Sequence, residues 1–207
     1  MVGDHLLGKM LKKYITERLP RMIKKKFYSW NDVEKMCVSI VNQMYTDNWR
    51  PDYIVGLTRG GNVPATIISN MTGIRCEALK VSLRDDDGSA ESNLWMAEDA
   101  YGYDPEGSYA PEMGFFKNKP MGKNILIVDD INDTGTTFNW IVDDWKSGCL
   151  PNSLVWDQIW GDNVRFAVLT ENLSSGFDKV SYHCDEVNKA EEDVWLVYPW
   201  ESVGTYG

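Results

Sequence analysis

The sequence has no apolar run approaching the ~18 to 20 residues that a helix needs to cross a bilayer, which excludes a helical membrane protein. Met1 to Met10 carries no apolar leader stretch, so the chain is expected to stay in the cytoplasm. Histidine is scarce (His5 and His183), and the four cysteines, Cys37, Cys76, Cys149 and Cys184, lie far apart with no Cys-x-x-Cys spacing. That scarcity speaks against a zinc site or a disulfide framework and leaves buried, reduced thiols as the expectation. No internal repeat or low-complexity tract is present. Basic charge is also short: 21 Lys and Arg against 31 Asp and Glu give a net charge of −10, which argues against general nucleic-acid binding. What is there is ample for one buried core. The chain has 207 residues, 43% apolar and 12% aromatic, with nine tryptophans, which is too apolar for a disordered chain.

The charge is unevenly spread. Residues 1–29 hold eight basic and two acidic groups, a net +6, which leaves −16 for the remainder. Leu6, Leu7, Met10, Leu11, Tyr14 and Ile15 fall at helical spacing before Pro20, so a short amphipathic helix is expected in this arm. Such a helix could tether the chain to a membrane surface or nucleic acid. Packing of its apolar stripe on the body or on a second subunit is preferred, because the rest of the protein is strongly acidic.

The remainder alternates between helix and strand patterns. Ser29 to Asp32 reads as an N-cap region, and Val33, Met36, Cys37, Ile40, Val41 and Met44 form one helical face. Strands are expected at Tyr53–Leu57, Ala78–Leu83, Ile125–Val128 and Arg165–Leu169, and helices at Pro64–Ser69 and Thr136–Trp145. This rhythm predicts an α/β domain around a mainly parallel sheet flanked by helices. The 84–119 stretch breaks it, being rich in acids, glycines and aromatics, and a connection of that length is expected to be a lid or small insertion. Trp156 and Trp160 suggest a short helix burying aromatics, at a subunit contact or otherwise, and His183 is read as structural.

The sharpest segment is Ile125-Leu126-Ile127-Val128-Asp129-Asp130-Ile131-Asn132-Asp133-Thr134-Gly135-Thr136-Thr137. A buried strand delivers two adjacent carboxylates to its C-terminal end, where open α/β sheets bind ligands. A Thr- and Gly-rich turn then opens a helix, offering backbone N–H groups and hydroxyls to a phosphate. Asp129 and Asp130 are acceptors suited to sugar hydroxyls or to a magnesium ion with its waters. The combination points to a phosphorylated sugar.

This run resembles the phosphoribosyl-pyrophosphate (PRPP) motif of the type I phosphoribosyltransferases. Ile54 to Pro64, with Arg59-Gly60-Gly61 at its centre, resembles that family's pyrophosphate loop. Val194-Trp195-Leu196-Val197-Tyr198-Pro199-Trp200-Glu201 is similar to the base-binding segment of bacterial xanthine-guanine phosphoribosyltransferases, the nearest branch. The resemblance implies a phosphoribosyltransferase domain over residues 28–207, preceded by a basic arm over 1–27. Within the domain, 84–119 would be the lid and about 170–201 a small base-binding hood. It implies transfer of phosphoribose from PRPP to a purine base, with Mg2+, in a dimer or tetramer, with no nucleic-acid or membrane partner. By the same resemblance Asp129 and Asp130 hold the ribose hydroxyls and the metal. Asp133, Thr134, Gly135, Thr136 and Thr137 cradle the 5′-phosphate, and Asp133 also serves as the base near purine N7. Arg59, Gly60 and Gly61 grip pyrophosphate, Trp195 stacks on the purine, and the backbone at Leu196 reads its edge.

Two positions depart from the pattern. Glu171 stands where the xanthine-guanine enzymes place a lysine that donates to the 6-oxo group, and a carboxylate accepts rather than donates. Either another cation, Lys179 or Lys189, serves instead, or the base is not an ordinary 6-oxopurine. At the start of the lid, Val81-Ser82-Leu83-Arg84 replaces a Ser-Tyr pair, and Asp85-Asp86-Asp87 reads as a solvated turn. A non-catalytic PRPP- or nucleotide-sensing regulator on the same fold is the alternative to an enzyme.

Overall fold

A computed structural model describes residues 24–81, 93–103 and 122–201. The helix expected over Leu6 to Ile15, Arg84 and the Asp85–Asp87 turn lie outside the described residues. The strands are β1 (Lys24–Phe27), β2 (Tyr53–Thr58), β3 (Cys76–Lys80), β4 (Ile125–Asn132), β5 (Val164–Asn172), β6 (Val180–Tyr182), β7 (Asp185–Val187) and β8 (Val194–Val197). The helices are α1 (Trp30–Thr46), α2 (Asn62–Thr72), α3 (Leu94–Tyr101), α4 (Thr136–Gly148) and the single turn α5 (Trp156–Ile159).

The central sheet runs β3-β2-β4-β5-β6, with β7 also on β5, and every pairing in it is parallel. Because parallel strands are covered on both faces, their residues are apolar in sequence rather than alternating. Ile125, Leu126, Ile127 and Val128 are all fully buried. One face, with Tyr53, Val55, Leu57, Ile127, Phe166 and Val168, packs on α3, α4 and α5. The other, with Ile54, Leu126, Val128, Ala167 and Leu169, packs on α1 and α2. Helix α1 begins at Ser29, which forms a capping box with Asp32, and buries Val33, Cys37, Ile40 and Met44 along one stripe.

Strand β8 pairs in parallel with β1, from Lys24↔Val194 to Phe27↔Val197. Residues 24–27, grouped with the basic arm in sequence, are thus one half of a two-stranded sheet whose other half is the expected base-binding segment. Strand β3 lies two residues earlier than expected, because its pairing with β2 starts at Ile54↔Cys76. The middle of the 84–119 stretch is helix α3, whose Met96, Ala97 and Ala100 are buried in the core. Trp156 and Trp160 stack 5.4 Å apart, and Trp160 packs on Trp145 and Phe166 inside the protomer. All four cysteines are free, but Cys76 and Cys184 are only half-buried, against the expectation that each thiol is enclosed. His183 pairs with Glu186 at 2.9 Å. No helix of the described residues is long and apolar enough to cross a membrane.

Phe138 in the first turn of α4 packs on Phe166 at 4.8 Å and on Phe177 at 5.2 Å, seating the helix start on the sheet. Phe138→Ala should lower stability by about 3–5 kcal/mol, read as a shift of the urea midpoint at unchanged m-value.

Candidate active site

The chain passes from β2 outward to β3 and then back across to β4 on the other side of β2. That reversal makes the crevice beyond the C-terminal ends of β2 and β4 the switch point of the sheet, where α/β proteins bind ligands. The two strands are level from Tyr53↔Ile125 to Gly56↔Val128, so the loops that leave them meet. Arg59-Gly60-Gly61 leaves β2 through a cis Thr58–Arg59 peptide, with Arg59 exposed. A Cβ on Gly60 would lie 1.9 Å from Asp130 Oδ2, and one on Gly61 would lie 2.3 Å from the Val128 carbonyl oxygen. Only glycine lets these backbones approach so closely. The expected pyrophosphate loop and the acidic pair are therefore in direct contact.

Asp129 and Asp130 sit half-buried at the end of β4, and Asp129 Oδ1 accepts the Asp130 N–H at 2.9 Å. Burial, and then the negative charge of Glu201, push the Asp130 carboxyl up to about 6, against a pull downward from the Asp129 side-chain contact and nearby backbone N–H groups. After β4 the chain turns through Asp133 and Thr134 to Gly135, which has φ +81° and no room for a side chain beside the Phe177 backbone. Gly135 is the N-cap of α4 and brings no capping side chain. The hydroxyls of Thr134 and Thr136 are 2.8 Å apart, and the Thr136 N–H donates to Thr134 Oγ1 at 3.4 Å, so two exposed hydroxyls cluster at the helix start. Thr137 follows, half-buried.

The Asp133 carboxylate is ion-paired with Lys189 at 2.9 Å, and its carbonyl accepts from Asn172 Nδ2 at 2.7 Å. Asn172 Oδ1 in turn accepts the Lys189 N–H at 3.0 Å, so one buried amide sets both partners of the pair. Glu171 accepts from Asn132 Nδ2 at 2.8 Å through one oxygen, while the other is buried with no hydrogen-bond partner among the described residues. Burial, offset in part by Asn132 and His183, raises the Glu171 pKa. Trp195 is 55% exposed on β8, whereas Leu196 is buried. Strand β8 is fixed to the acidic segment from both sides. Lys189 precedes it, and Tyr198, just after it, donates to the Asp130 carbonyl at 2.9 Å. The contacts of Tyr198 and Asn172 were not assigned from sequence, and Lys189, considered there as a replacement for the missing base-binding lysine, is instead paired with Asp133.

Among the described residues no group of three or more His, Cys, Asp or Glu side chains is arranged to hold a metal. Magnesium needs no such cage, since it keeps several waters and takes one or two carboxylates beside its phosphate ligand. Asp129 and Asp130 fit that donor chemistry, and a cation beside Asp130 would relieve the repulsion from Glu201.

A glycine loop and an acidic pair touching at the switch point of a parallel sheet define an α/β protein built to bind a sugar phosphate or nucleotide. Residues 24–200 match the phosphoribosyl transferase domain, and the chain belongs to that family. It is 25% identical over 188 residues to xanthine phosphoribosyltransferase 1 of Saccharomyces cerevisiae, covering 85% of this chain and 89% of that protein. To the xanthine-guanine phosphoribosyltransferase of Cereibacter sphaeroides it is 29% identical over 196 residues, covering 92% and 94%. The fold is shared with a purine phosphoribosyltransferase from Pyrococcus horikoshii, at a TM-score of 0.55 and 19% identity over 89% of this chain and 99% of that one.

The raised Asp130 pKa carries a signed consequence. Folding favours the protonated form, so this group's contribution to stability is full below its ordinary value of 3.8 and is lost as pH rises through about 6. A carboxyl 13C titration should place Asp130 near 6, and Glu201→Gln should lower that midpoint. Asp130→Asn should flatten the pH dependence of stability between these two values.

Proposed function

We propose that the protein transfers the phosphoribosyl group of PRPP to a purine base, releasing pyrophosphate and forming a nucleoside monophosphate in purine salvage. The observation that carries this reading is the contact of the Arg59-Gly60-Gly61 loop with Asp129-Asp130 at the switch point, within a family match over residues 24–200. On this reading the domain begins near residue 28, the hood spans about 170–201, and 1–27 is an arm whose last four residues form β1.

The reaction forms a bond between a purine nitrogen and C1 of the ribose as the C1–oxygen bond to pyrophosphate breaks. Arg59 and the amides of Gly60 and Gly61 bind the leaving pyrophosphate and stabilise the charge it gains. Asp129 and Asp130 accept hydrogen bonds from the ribose 2′- and 3′-hydroxyls and hold Mg2+. When bound, the ion supplies further positive charge at the phosphates. Asp133, Thr134, Gly135, Thr136 and Thr137 hold the 5′-phosphate at the start of α4. Asp133, fixed in place by Lys189, receives the proton that the purine ring loses. Trp195 stacks on the base, a contact worth ~1 to 3 kcal/mol per base in single-stranded nucleic-acid binders.

Glu171 shapes the choice of base. A half-buried carboxylate with one unpartnered oxygen suits a ring N–H or an exocyclic amino group. That favours a base with donors on its edge, including one that is not a 6-oxopurine. Exposed Leu94 and Trp95 on α3, with Leu150 and Leu154 between α4 and α5, support assembly into a dimer or tetramer.

The test is pyrophosphate release from PRPP and magnesium with a panel of purines. Release with at least one base is expected; PRPP binding without release from any base would make the protein a sensor instead. Asp133→Asn should cut kcat by about 100-fold or more while PRPP affinity changes far less, and equal losses would contradict the acid–base role. Glu171→Lys should shift kcat/KM toward 6-oxopurines, an outcome read from the same panel.

A further inference from the structure

Tyr198 has no part in the reaction as proposed, yet it is closely held. It follows β8 directly, is 2% exposed, and has its hydroxyl 2.9 Å from the Asp130 carbonyl oxygen and 2.9 Å from Thr170 Oγ1. A carbonyl only accepts, and the phenol also donates toward Thr170 Oγ1, so its single proton is shared between the Asp130 carbonyl and the Thr170 hydroxyl oxygen. Tyr28, whose hydroxyl lies 3.1 Å from Thr170, gives its own proton to the Asp185 carboxylate at 2.5 Å. Burial, opposed by the Thr170 hydroxyl and seconded by the negative charges of Asp130 and Asp129, holds the Tyr198 phenol in its protonated form. The ring is fixed as well. It stacks on Tyr28 at 4.9 Å and on Trp200 at 4.9 Å, with interplanar angles of 13° and 1°.

Asp130 is thereby held from two sides. Its carboxylate lies against the Gly60 backbone, and its carbonyl is hydrogen-bonded to Tyr198. Three residues before Tyr198, on β8 itself, stands Trp195. The path from the expected base platform to the acidic pair is one β-strand and one hydrogen bond, with no flexible link between them.

We propose that Tyr198 is a positioning residue for the PRPP site: it fixes the backbone of Asp130 and couples the acidic pair to the base-binding strand β8. Thr170 Oγ1 is the competing acceptor for the same phenolic proton. This rests on the reading of Asp130 as a ribose-binding residue. The reaction needs the ribose and the base held at a set distance, and this contact joins the strand that carries Trp195 to the backbone of Asp130.

The test compares three single variants and one double. Tyr198→Phe keeps the ring stack and removes only the hydroxyl. It should raise KM for PRPP about 5- to 30-fold with a smaller change in KM for the base. Thr170→Val, which removes the competing acceptor, should leave KM for PRPP no higher than wild type, and the Tyr198→Phe/Thr170→Val double variant should match Tyr198→Phe alone, since only the phenol reaches Asp130. Tyr28→Phe deletes a hydroxyl from the same stack without contacting Asp130, and should leave KM for PRPP at the wild-type value. Thermal midpoints of all four separate lost positioning from lost folding. An unchanged KM in Tyr198→Phe, or an equal rise in Tyr28→Phe, overturns the proposal. Calorimetric titration with PRPP and magnesium chloride keeps it distinct from the function. If the wild type releases no pyrophosphate with any base but binds PRPP, weaker binding by Tyr198→Phe upholds the positioning role and equal binding overturns it. A wild type that binds no PRPP overturns both.

Discussion

The approach of two backbones at the ends of β2 and β4 governs the rest of the site. Parallel strands in level register send their following loops into the same space, and side chains on those loops would collide. Gly60 and Gly61 remove the collision, and the carboxylate of Asp130 occupies the volume that a Gly60 side chain would fill. The acidic pair and the loop opposite it therefore form one surface. On the proposed reading, the loop supplies backbone N–H groups for phosphates and the acidic pair supplies acceptors for sugar hydroxyls.

The arrangement carries an electrostatic cost, and the cost is informative. Asp130 is half-buried, and burial followed by the negative charge of Glu201 pushes its carboxyl up to about 6. An uncharged side chain would fill that position at lower cost. A cation or hydroxyl donors beside Asp130 would relieve the repulsion. Asp133 shows the complementary solution. Its charge is met inside the protein by Lys189, which comes from the hood rather than from the strand where a lysine was sought.

How much of this could be read from the sequence follows from what each signal depends on. Strand β4 and the turn to Gly135 were legible because a run of apolar residues, an acidic pair and a glycine with positive φ are each demanded locally. The same holds for α1, where Ser29 and Asp32 announce the cap. Strand β1 was not legible. Lys-Lys-Lys-Phe has no apolar pattern, and it is a strand only because β8 offers an edge to pair with. Helix α3 was hidden for a related reason: its three buried residues mean little until α4 and α5 are in place to cover them. Glu171 was found by alignment to a family pattern, but its partner Asn132 lies 39 residues away and follows only from the β4–β5 register. Long-range pairing decides these features, and a linear reading has no access to it.

The tryptophans divide along the same line. Trp145, Trp156 and Trp160 fill the core under α4 and α5, a role that apolar composition alone foretells. Trp195 and Trp200 are different, because their neighbours come from both ends of the described chain. Trp200 stacks on Tyr198 and lies 5.9 Å from Trp30 at the start of α1, so the first helix and the last strand share one aromatic column. Tyr28, immediately before that helix, completes the column from the other end. Strands β1 and β8 are held against the acidic pair by stacked rings and one phenolic hydroxyl. Ring stacking constrains tilt and spacing but leaves sliding cheap, whereas the hydrogen bond to Asp130 fixes the slide. The two together give Trp195 a defined position relative to Asp130.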